Sequence, residues 1–214
     1  MTNKISPPPT FLIDRYKKWK SNEYSKNEVQ LRKLASFGQS PSTMVISCCD
    51  SRIHATSIFG ADEGEFFIHR NIANLVPIYS PDGENHGTSA AIEYAIKELK
   101  VQHLIILGHK DCGGIKNGHY IHSNLANPKY EFINKWLGIL LPAYNKIQKT
   151  FSEQKKINQL EQESIKVSVN NLFSFPFIKK AIDENKLSIH GLIHDIGSGN
   201  LKFLNPVTKD FQNF

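Results

Sequence analysis

The stretch T-M-V-I-S-C-C-D-S-R, residues 43–52, places an apolar run directly before a polar cluster. The apolar run is rich in β-forming residues and ends at Cys48, which predicts a short buried strand. Because side chains alternate between the two faces of a strand, Cys48, Asp50 and Arg52 are expected on one side. Cys49 is then expected on the other side, as a small buried packing residue. The stretch therefore predicts a strand that brings one thiol, one acid and one base to the same place.

Further strands and helices follow along the chain. Apolar runs at 65–69, 103–108 and 187–194 predict three more strands, and a last one is expected at 200–204 after the turn G-S-G-N. Helical patterns occupy 88–100 and most of 129–186, with breaks at Pro142 and Pro176. Buried strands that alternate with helices predict an α/β fold with a mainly parallel sheet of four to five strands flanked by helices.

The domain organisation is predicted to be a single domain over residues 1–214. Residues 1–35 form a helical arm at its start, in which Phe11, Leu12, Tyr16 and Trp19 fall on one face. Such a bulky stripe packs either on its own core or on a partner subunit, and we favour the partner subunit.

Composition is typical of a soluble globular protein, since 40% of the residues are hydrophobic and 21% are charged. The net charge of +6 is diffuse and comes without a nucleic-acid-binding signature, so we expect no nucleic acid partner. Three cysteines are too few for a secreted disulfide framework. No signal-peptide pattern and no apolar run of membrane-spanning length is present. These features predict a cytoplasmic protein with no membrane partner.

A second polar cluster, G-H-K-D-C-G-G at residues 108–114, follows the predicted strand at 103–108. The carboxyl ends of parallel strands meet at one edge of a sheet, where open α/β sheets bind their ligands. Cys48, His109 and Cys112 can therefore meet at that edge. Two thiolates and one imidazole are a ligand set of catalytic zinc sites, which keep a fourth position for water or substrate.

These motifs resemble those of β-class carbonic anhydrases. The resemblance rests on C-C-D-S-R at 48–52, F-F-I-H-R-N-I-A-N-L-V at 66–76, A-A-I-E-Y-A-I-K-E-L at 90–99, H-K-D-C-G-G at 109–114 and H-G-L-I-H-D-I-G-S-G-N-L at 190–201. It implies the β-carbonic anhydrase fold. It also implies the zinc-dependent, reversible hydration of CO₂ to bicarbonate and a proton by a zinc-bound hydroxide.

By that resemblance, Cys48, His109 and Cys112 bind one Zn²⁺ per chain, and Asp50 and Arg52 form a catalytic dyad beside the metal. Asp50 is expected to accept a hydrogen bond from the zinc-bound water. Arg52 is expected to hold Asp50 through a charge-assisted bidentate pair. If that pair broke, the Asp50 carboxylate would become a fourth ligand and close the site, as it does in some family members.

The resemblance also implies a CO₂ pocket, with the substrate-binding residues Gln39, Phe67, Ile72, Tyr94 and Gly113. Family members that bicarbonate regulates carry a tryptophan three residues before the first zinc cysteine, where this chain has Val45. Arg70 matches the arginine of the same regulatory pocket, and we expect it in a structural or interface role. We therefore place the chain in the plant-like branch and predict no regulation by bicarbonate.

Several alternatives stay open at this point. The same metal site can serve a hydrolase of a CO₂-like substrate such as carbon disulfide, or a catalytically silent zinc-binding assembly protein. A thiol-redox protein is disfavoured because the chain has no C-x-x-C motif. The family implies a homodimer or a homotetramer, without a choice between them. Four histidines are candidates for the proton shuttle, and nothing in their spacing selects one: His54, His86, His119 and His122.

Overall fold

The computed structural model of the protein describes residues 5–82, 86–124 and 130–214, and the chain divides into two compact units, Met1–Gln39 and Ser40–Phe214. The N-terminal unit consists of α1 (Thr10–Trp19), a π-helical turn (Lys20–Tyr24) and α2 (Ser25–Phe37). The predicted helical arm thus ends at Phe37 rather than at residue 35. The expected single-domain organisation stays a prediction.

The apolar stripe of the arm is present and exposed. Neither α1 nor α2 contains a buried residue. Phe11, Tyr16 and Trp19 are 57%, 58% and 44% exposed. Side chains of this size stabilise a protein only when they are buried, so the exposed stripe of α1 would contribute to stability if it packed against another surface.

The C-terminal unit is built around a sheet whose described residues form six strands in the order β2-β1-β3-β4-β5-β6. The strands are β1 (Thr43–Cys48), β2 (Phe66–Asn71), β3 (His103–His109), β4 (Ser188–His194), β5 (Leu201–Leu204) and β6 (Phe211–Asn213). The pairs among β1 to β4 are parallel, and β5 and β6 are antiparallel. The α/β class and the mainly parallel sheet are confirmed. The expected count of four to five strands omitted β6, because three residues are too few to show an alternating pattern.

Seven helices surround this sheet in the part of the unit that the structure describes. They are α3 (Ala55–Phe59), α4 (Gly87–Lys97), α5 (Gly113–His122), α6 (Glu131–Leu137), α7 (Leu141–Tyr144), α8 (Glu153–Leu172) and α9 (Pro176–Asp183), with short 3₁₀ turns at Ile72–Asn74 and Gly138–Leu140. Pro142 and Pro176 lie in the first turns of α7 and α9, where a proline costs no helical hydrogen bond. Among the described helices, none combines the length and the apolar character of a membrane-spanning segment.

Strand β1 lies at the centre of the core. All six of its residues are buried. Met44 and Ile46 belong to the cluster that includes residues of α4, α8 and α9, while Val45 belongs to the cluster that includes residues of α3 and β4. A strand covered on both faces is nearly continuous in apolar residues, which is why the run at 43–48 predicted it correctly.

The parallel strands end together at one edge of the sheet. Cys48, the last residue of β1, is in register with Asn71, the last residue of β2. His109, the last residue of β3, is in register with His194, the last residue of β4. The residues that follow these strands are therefore neighbours in space, as the sequence predicted.

Candidate metal centre

Three side chains with metal-binding atoms meet at this edge. The ligating atoms of Cys48, His109 and Cys112 all lie within 4.8 Å of one another, and all three residues are buried. The two sulfur atoms are 3.9 Å apart. Two thiolates on one tetrahedral zinc ion, each at about 2.3 Å, would be about 3.8 Å apart. The spacing of the two thiols therefore suits a shared zinc ion.

The imidazole of His109 has the orientation of a metal ligand. Its Nδ1 lies 2.9 Å from the carbonyl oxygen of Lys110, to which Nδ1–H donates. Its Nε2 is buried and has no hydrogen-bond partner among the described residues. A bond of this kind to the other ring nitrogen fixes the tautomer of metal-binding histidines. The donor set of two cysteines and this histidine thus fits Zn²⁺ with one position left open.

Backbone amides stabilise negative charge on the two sulfurs. The hydrogen bond from the Cys112 thiol lowers the pKa of Cys48 well below its usual range, and the amides of Asp50 and Ala73 contribute to that shift. The pKa of Cys112 is raised by its pairing with Cys48 and by burial, although the amides of Gly114 and Ile115 oppose the rise. A metal ion bound by both sulfurs would displace their protons, because the thiolate is the form that binds metal.

The amide of Ala73 reaches Cys48 because of an unusual backbone turn. Ala73 and Asn74 have φ values of 65° and 49°, in the left-handed region that residues with a side chain rarely adopt. The side chain of Asn71 holds this turn, since its Oδ1 accepts the N–H of Leu75 and its Nδ2 donates to the Leu75 carbonyl. Backbone strain of this kind occurs most often at functional sites.

Asp50 and Arg52 form the expected pair beside the three ligands. Arg52 Nε donates to Asp50 Oδ1 at 2.9 Å, and Arg52 Nη2 donates to Oδ2 at 2.7 Å. The Arg52 guanidinium holds the pKa of Asp50 well below its usual range. Asp50 Oδ2 also lies 3.8 Å from His109 Nε2. A carboxylate that favours its ionised form is therefore held next to the candidate metal position.

Arg70 has the structural role that the sequence predicted. Its Nε donates to the Cys48 carbonyl at 3.0 Å, and its Nη2 donates to the Asp50 carbonyl at 2.7 Å. Both acceptors belong to the segment that carries the first cysteine and the acid. Arg70 thus fixes the backbone of that segment from β2.

Sequence reasoning missed Glu161. This residue of α8 is 2% exposed, and its Oε1 accepts the backbone N–H of Cys112 at 3.1 Å. Burial raises the pKa of Glu161 to about 7. The signal was present in the sequence, because Ile157, Leu160, Ser164 and Ile165 form the core-facing stripe of α8 and Glu161 belongs to the same stripe. An acid at such a position indicates a buried partner.

Two of the five predicted substrate-binding residues lie near the ligands. Gly113 directly follows Cys112 at the start of α5. Ile72 directly follows Asn71 at the end of β2, and its carbonyl accepts the indole N–H of Trp136 at 2.9 Å.

The structure does not bring the predicted aromatic residues to the ligands of the same chain. Phe67 and Tyr94 are neighbours, with ring centroids 5.8 Å apart. Phe67 is in register with Met44, four residues before Cys48, which places it about 13 Å along the strand from that candidate ligand. Gln39 is the last residue of the N-terminal unit and is exposed.

The prediction for Cys49 was wrong, because this residue is exposed rather than buried. Strand β1 ends at Cys48, so the cover that buries its residues on both faces does not extend to Cys49. Its side chain borders a groove of about 930 Å³, which His69, Ile72, Phe132 and Trp136 also line.

The four candidate shuttle histidines lie in different settings. His119 is buried and paired with Glu153, and His122 Nε2 lies 3.2 Å from the Leu137 carbonyl oxygen. His86 pairs with Asp82 at 2.6 Å, and His54 is exposed just before α3. No histidine of this group is singled out by its geometry.

Comparison with known proteins agrees with this geometry. A sequence model of the carbonic anhydrase family matches residues 43–201. Beta carbonic anhydrase 3 of Arabidopsis thaliana is 39% identical over 184 residues, which cover 85% of this chain and 70% of that protein.

Solved structures give the same result. The β-carbonic anhydrase CcaA superimposes with a TM-score of 0.83 at 27% identity, over 96% of this chain and 91% of that one. A tetrameric β-carbonic anhydrase of the filamentous ascomycete Sordaria macrospora superimposes with a TM-score of 0.77 at 30% identity, over 92% of this chain and 96% of that one. The chain therefore belongs to the carbonic anhydrase family, and within it to the β class.

Proposed function

We propose that this protein catalyses the reversible hydration of CO₂ to bicarbonate and a proton, with one Zn²⁺ per chain held by Cys48, His109 and Cys112. The observation that carries the proposal is the convergence of these three side chains beside an Asp50 carboxylate that Arg52 already engages. When bound, zinc would act as a Lewis acid that lowers the pKa of a coordinated water towards neutrality and so makes a nucleophile available.

In this proposal the chain's own residues orient that nucleophile. Asp50 is ionised and lies 3.8 Å from His109 Nε2, so its carboxylate can accept a hydrogen bond from the attacking oxygen and leave a lone pair directed at CO₂. Arg52 occupies both carboxylate oxygens of Asp50 and thereby keeps that carboxylate from becoming a ligand itself. A silent zinc site has no use for such a pair, which favours catalysis over the assembly-protein alternative.

The apolar wall for CO₂ would come from more than one copy of the chain. Ile72 and Gly113 belong to the site of their own chain. Phe67 lies too far along the sheet to reach the metal position of its own chain, and the half-exposed Tyr94 packs against it, so we assign both to the site of a partner copy. This assignment makes the protein a homodimer or homotetramer, in line with the tetrameric relative from S. macrospora. We also propose a cytoplasmic location, from the cysteine content alone.

Stopped-flow CO₂ hydration by the zinc-loaded protein tests the proposal, together with the variants Cys48→Ser and Asp50→Asn. We expect Cys48→Ser to lose zinc and activity together. We expect Asp50→Asn to keep one zinc per chain and to lose most of its activity, because an amide cannot replace an ionised acceptor. Full activity in Cys48→Ser would contradict the ligand assignment. A wild-type protein that holds one zinc, leaves CO₂ unchanged and hydrolyses carbon disulfide would establish the alternative substrate.

A further inference from the structure

A buried carboxylate lies next to the turn that carries two of the candidate ligands. Glu161 is 2% exposed, and its Oε1 accepts the backbone N–H of Cys112 at 3.1 Å. Its other oxygen, Oε2, is buried and has no hydrogen-bond partner within residues 5–82, 86–124 and 130–214. A buried carboxylate with one oxygen unsatisfied destabilises the folded state, so its presence requires a compensating role.

Another glutamate on the same helix shows how the charge of a buried glutamate can be compensated without any contact to the candidate ligands. Glu163 is also buried, at 9% exposed, but it bonds to Lys166 at 2.7 Å and lies 3.8 Å from Lys146. Two cations therefore compensate its charge. Glu161 instead accepts a hydrogen bond from the main chain of a candidate ligand.

The turn from residue 109 to 112 needs such a contact. Asp111 has φ 55°, in the left-handed region, so the backbone reverses sharply just before Cys112. Arg52 Nη2 donates to the Asp111 carbonyl at 3.2 Å and holds the turn from the side of the dyad. Glu161 holds the N–H of the same peptide unit, that of Cys112, from the side of α8. These two contacts together fix both ends of the peptide unit on which the Cys112 sulfur depends for its direction.

We propose that Glu161 is a positioning residue for the metal centre, which directs the Cys112 thiolate towards Cys48 and His109 by accepting the Cys112 N–H. This inference rests on the proposed zinc site at those three residues. Groups that orient metal ligands from behind change metal affinity or activity when they are replaced, although they do not touch the ion. An apolar residue at 161 would leave the Cys112 amide without an acceptor and the turn free to shift.

The test compares Glu161→Leu and Glu161→Gln with the matched control Glu163→Leu. Leucine has a similar size, suits a buried position and removes the acceptor, whereas glutamine keeps a side-chain oxygen for the Cys112 N–H. Two measurements are made on the full-length protein: the rate of Zn²⁺ transfer to a chromophoric chelator, and the thiolate-to-cobalt absorption band after Co²⁺ replaces Zn²⁺. Thermal unfolding of the metal-free variants is recorded beside them.

We expect Glu161→Leu to release zinc about 10–100-fold faster than the wild type and to alter the cobalt band. We expect Glu161→Gln to restore most of both properties, and Glu163→Leu to release zinc at the wild-type rate even where its unfolding temperature falls. The inference would be overturned if Glu161→Leu released zinc at the wild-type rate, or if Glu163→Leu released it as fast as Glu161→Leu. Neither result would contradict the zinc site itself. A wild-type protein that binds no zinc would overturn the site and the inference together.

A second measurement decides the matter if Glu161→Leu does not fold. Hydrogen exchange of the Cys112 amide is then compared between zinc-loaded Glu161→Gln, which keeps an acceptor oxygen at the same reach, and Glu161→Asp, whose oxygens are withdrawn by one methylene group. Exchange that is about 10-fold faster in Glu161→Asp than in Glu161→Gln supports the inference, because the shorter side chain leaves the Cys112 N–H without its acceptor. Equal exchange in the two variants overturns it.

Discussion

Arg52 engages both carboxylate oxygens of Asp50, with Nε 2.9 Å from Oδ1 and Nη2 2.7 Å from Oδ2. The same guanidinium reaches the carbonyl of Asp111 at 3.2 Å. One side chain thus connects the segment after β1 to the turn after β3, and so connects the acid to the candidate ligands.

Replacing Arg52 by lysine should lower kcat/KM for CO₂ hydration about 10–100-fold, because an ammonium cannot hold both oxygens in a fixed plane. Stopped-flow assays of the zinc-loaded variant measure this. Arg32→Lys is the matched control, since Arg32 also pairs with an acid, Glu28, but on the exposed surface of α2. An Arg52→Lys variant with wild-type kcat/KM would show that the pair does not orient the nucleophile.

Gly114→Ala should destabilise the protein by about 1–3 kcal/mol, because the new methyl group has no room. A Cβ at this position would lie 2.9 Å from Ile72 Cγ2 and 3.0 Å from the Ala73 Cβ. Gly113→Ala serves as the stability control, since a Cβ there meets no described atom within 4 Å. Urea unfolding of both variants gives the two free energies, and a loss at 113 as large as that at 114 would contradict this account of the packing.

His69 should make the stability of the protein fall in mild acid. Burial lowers the pKa of His69, whose Nε2 lies 3.0 Å from Thr88 Oγ1. A histidine with a lowered pKa in the folded state binds its proton more readily when unfolded, so stability is complete above the unfolded value of about 6.5 and declines as the pH falls through it. His69→Gln should therefore flatten the dependence of the unfolding temperature on pH below about 6.5. The exposed His54→Gln is the control, and equal slopes in the wild type and His69→Gln would refute the prediction.

Association of the chain should depend on the exposed aromatic face of α1. Tyr16→Ser combined with Trp19→Ser removes two of its large side chains, which are 58% and 44% exposed in the single chain. We expect the dissociation constant of the oligomer to rise at least about 10-fold, as the loss of two aromatic anchors implies. Sedimentation velocity over a concentration series measures this, with Lys17→Ser combined with Lys18→Ser as the control on the charged face. Unchanged association in the aromatic double variant would show that the arm has another role.

Bicarbonate should not switch the enzyme off. Val45 is completely buried at the position where the family resemblance implies a tryptophan for regulation, and Arg70 already donates to the carbonyls of Cys48 and Asp50. We expect initial rates to show only simple product inhibition as bicarbonate rises, with chloride at equal ionic strength as the control. A sigmoidal loss of activity with bicarbonate would reveal a regulatory pocket in spite of Val45.

The parts of the structure that follow from local patterns were predictable. The run at 43–48 predicted β1 because a strand buried on both faces needs apolar residues throughout, and the end of that strand predicted where Cys48 would lie. The meeting of Cys48 with Cys112 followed from the rule that parallel strands end at one edge.

The remainder depended on information that a local pattern does not contain. Cys49 is exposed because the elements that bury β1 on both faces do not extend past Cys48. Their extent is a property of the tertiary packing around the strand. Glu161 accepts a hydrogen bond from the Cys112 N–H, which is 49 residues away in the sequence. Only the packing of α8 against β3 brings the two groups together. β6 has three residues and pairs with β5 without a periodic signal.

The two cysteines of the candidate metal centre also bear on the stability of the fold. Cys48 and Cys112 are 64 residues apart in sequence, yet their sulfurs are 3.9 Å apart. An ion that both of them bind would act as a cross-link, closing a long loop and reducing the conformational entropy of the unfolded chain. The same ion would then take part in the reaction and link the end of β1 to the start of α5. A chelator would therefore destabilise the fold as well as inactivate the enzyme.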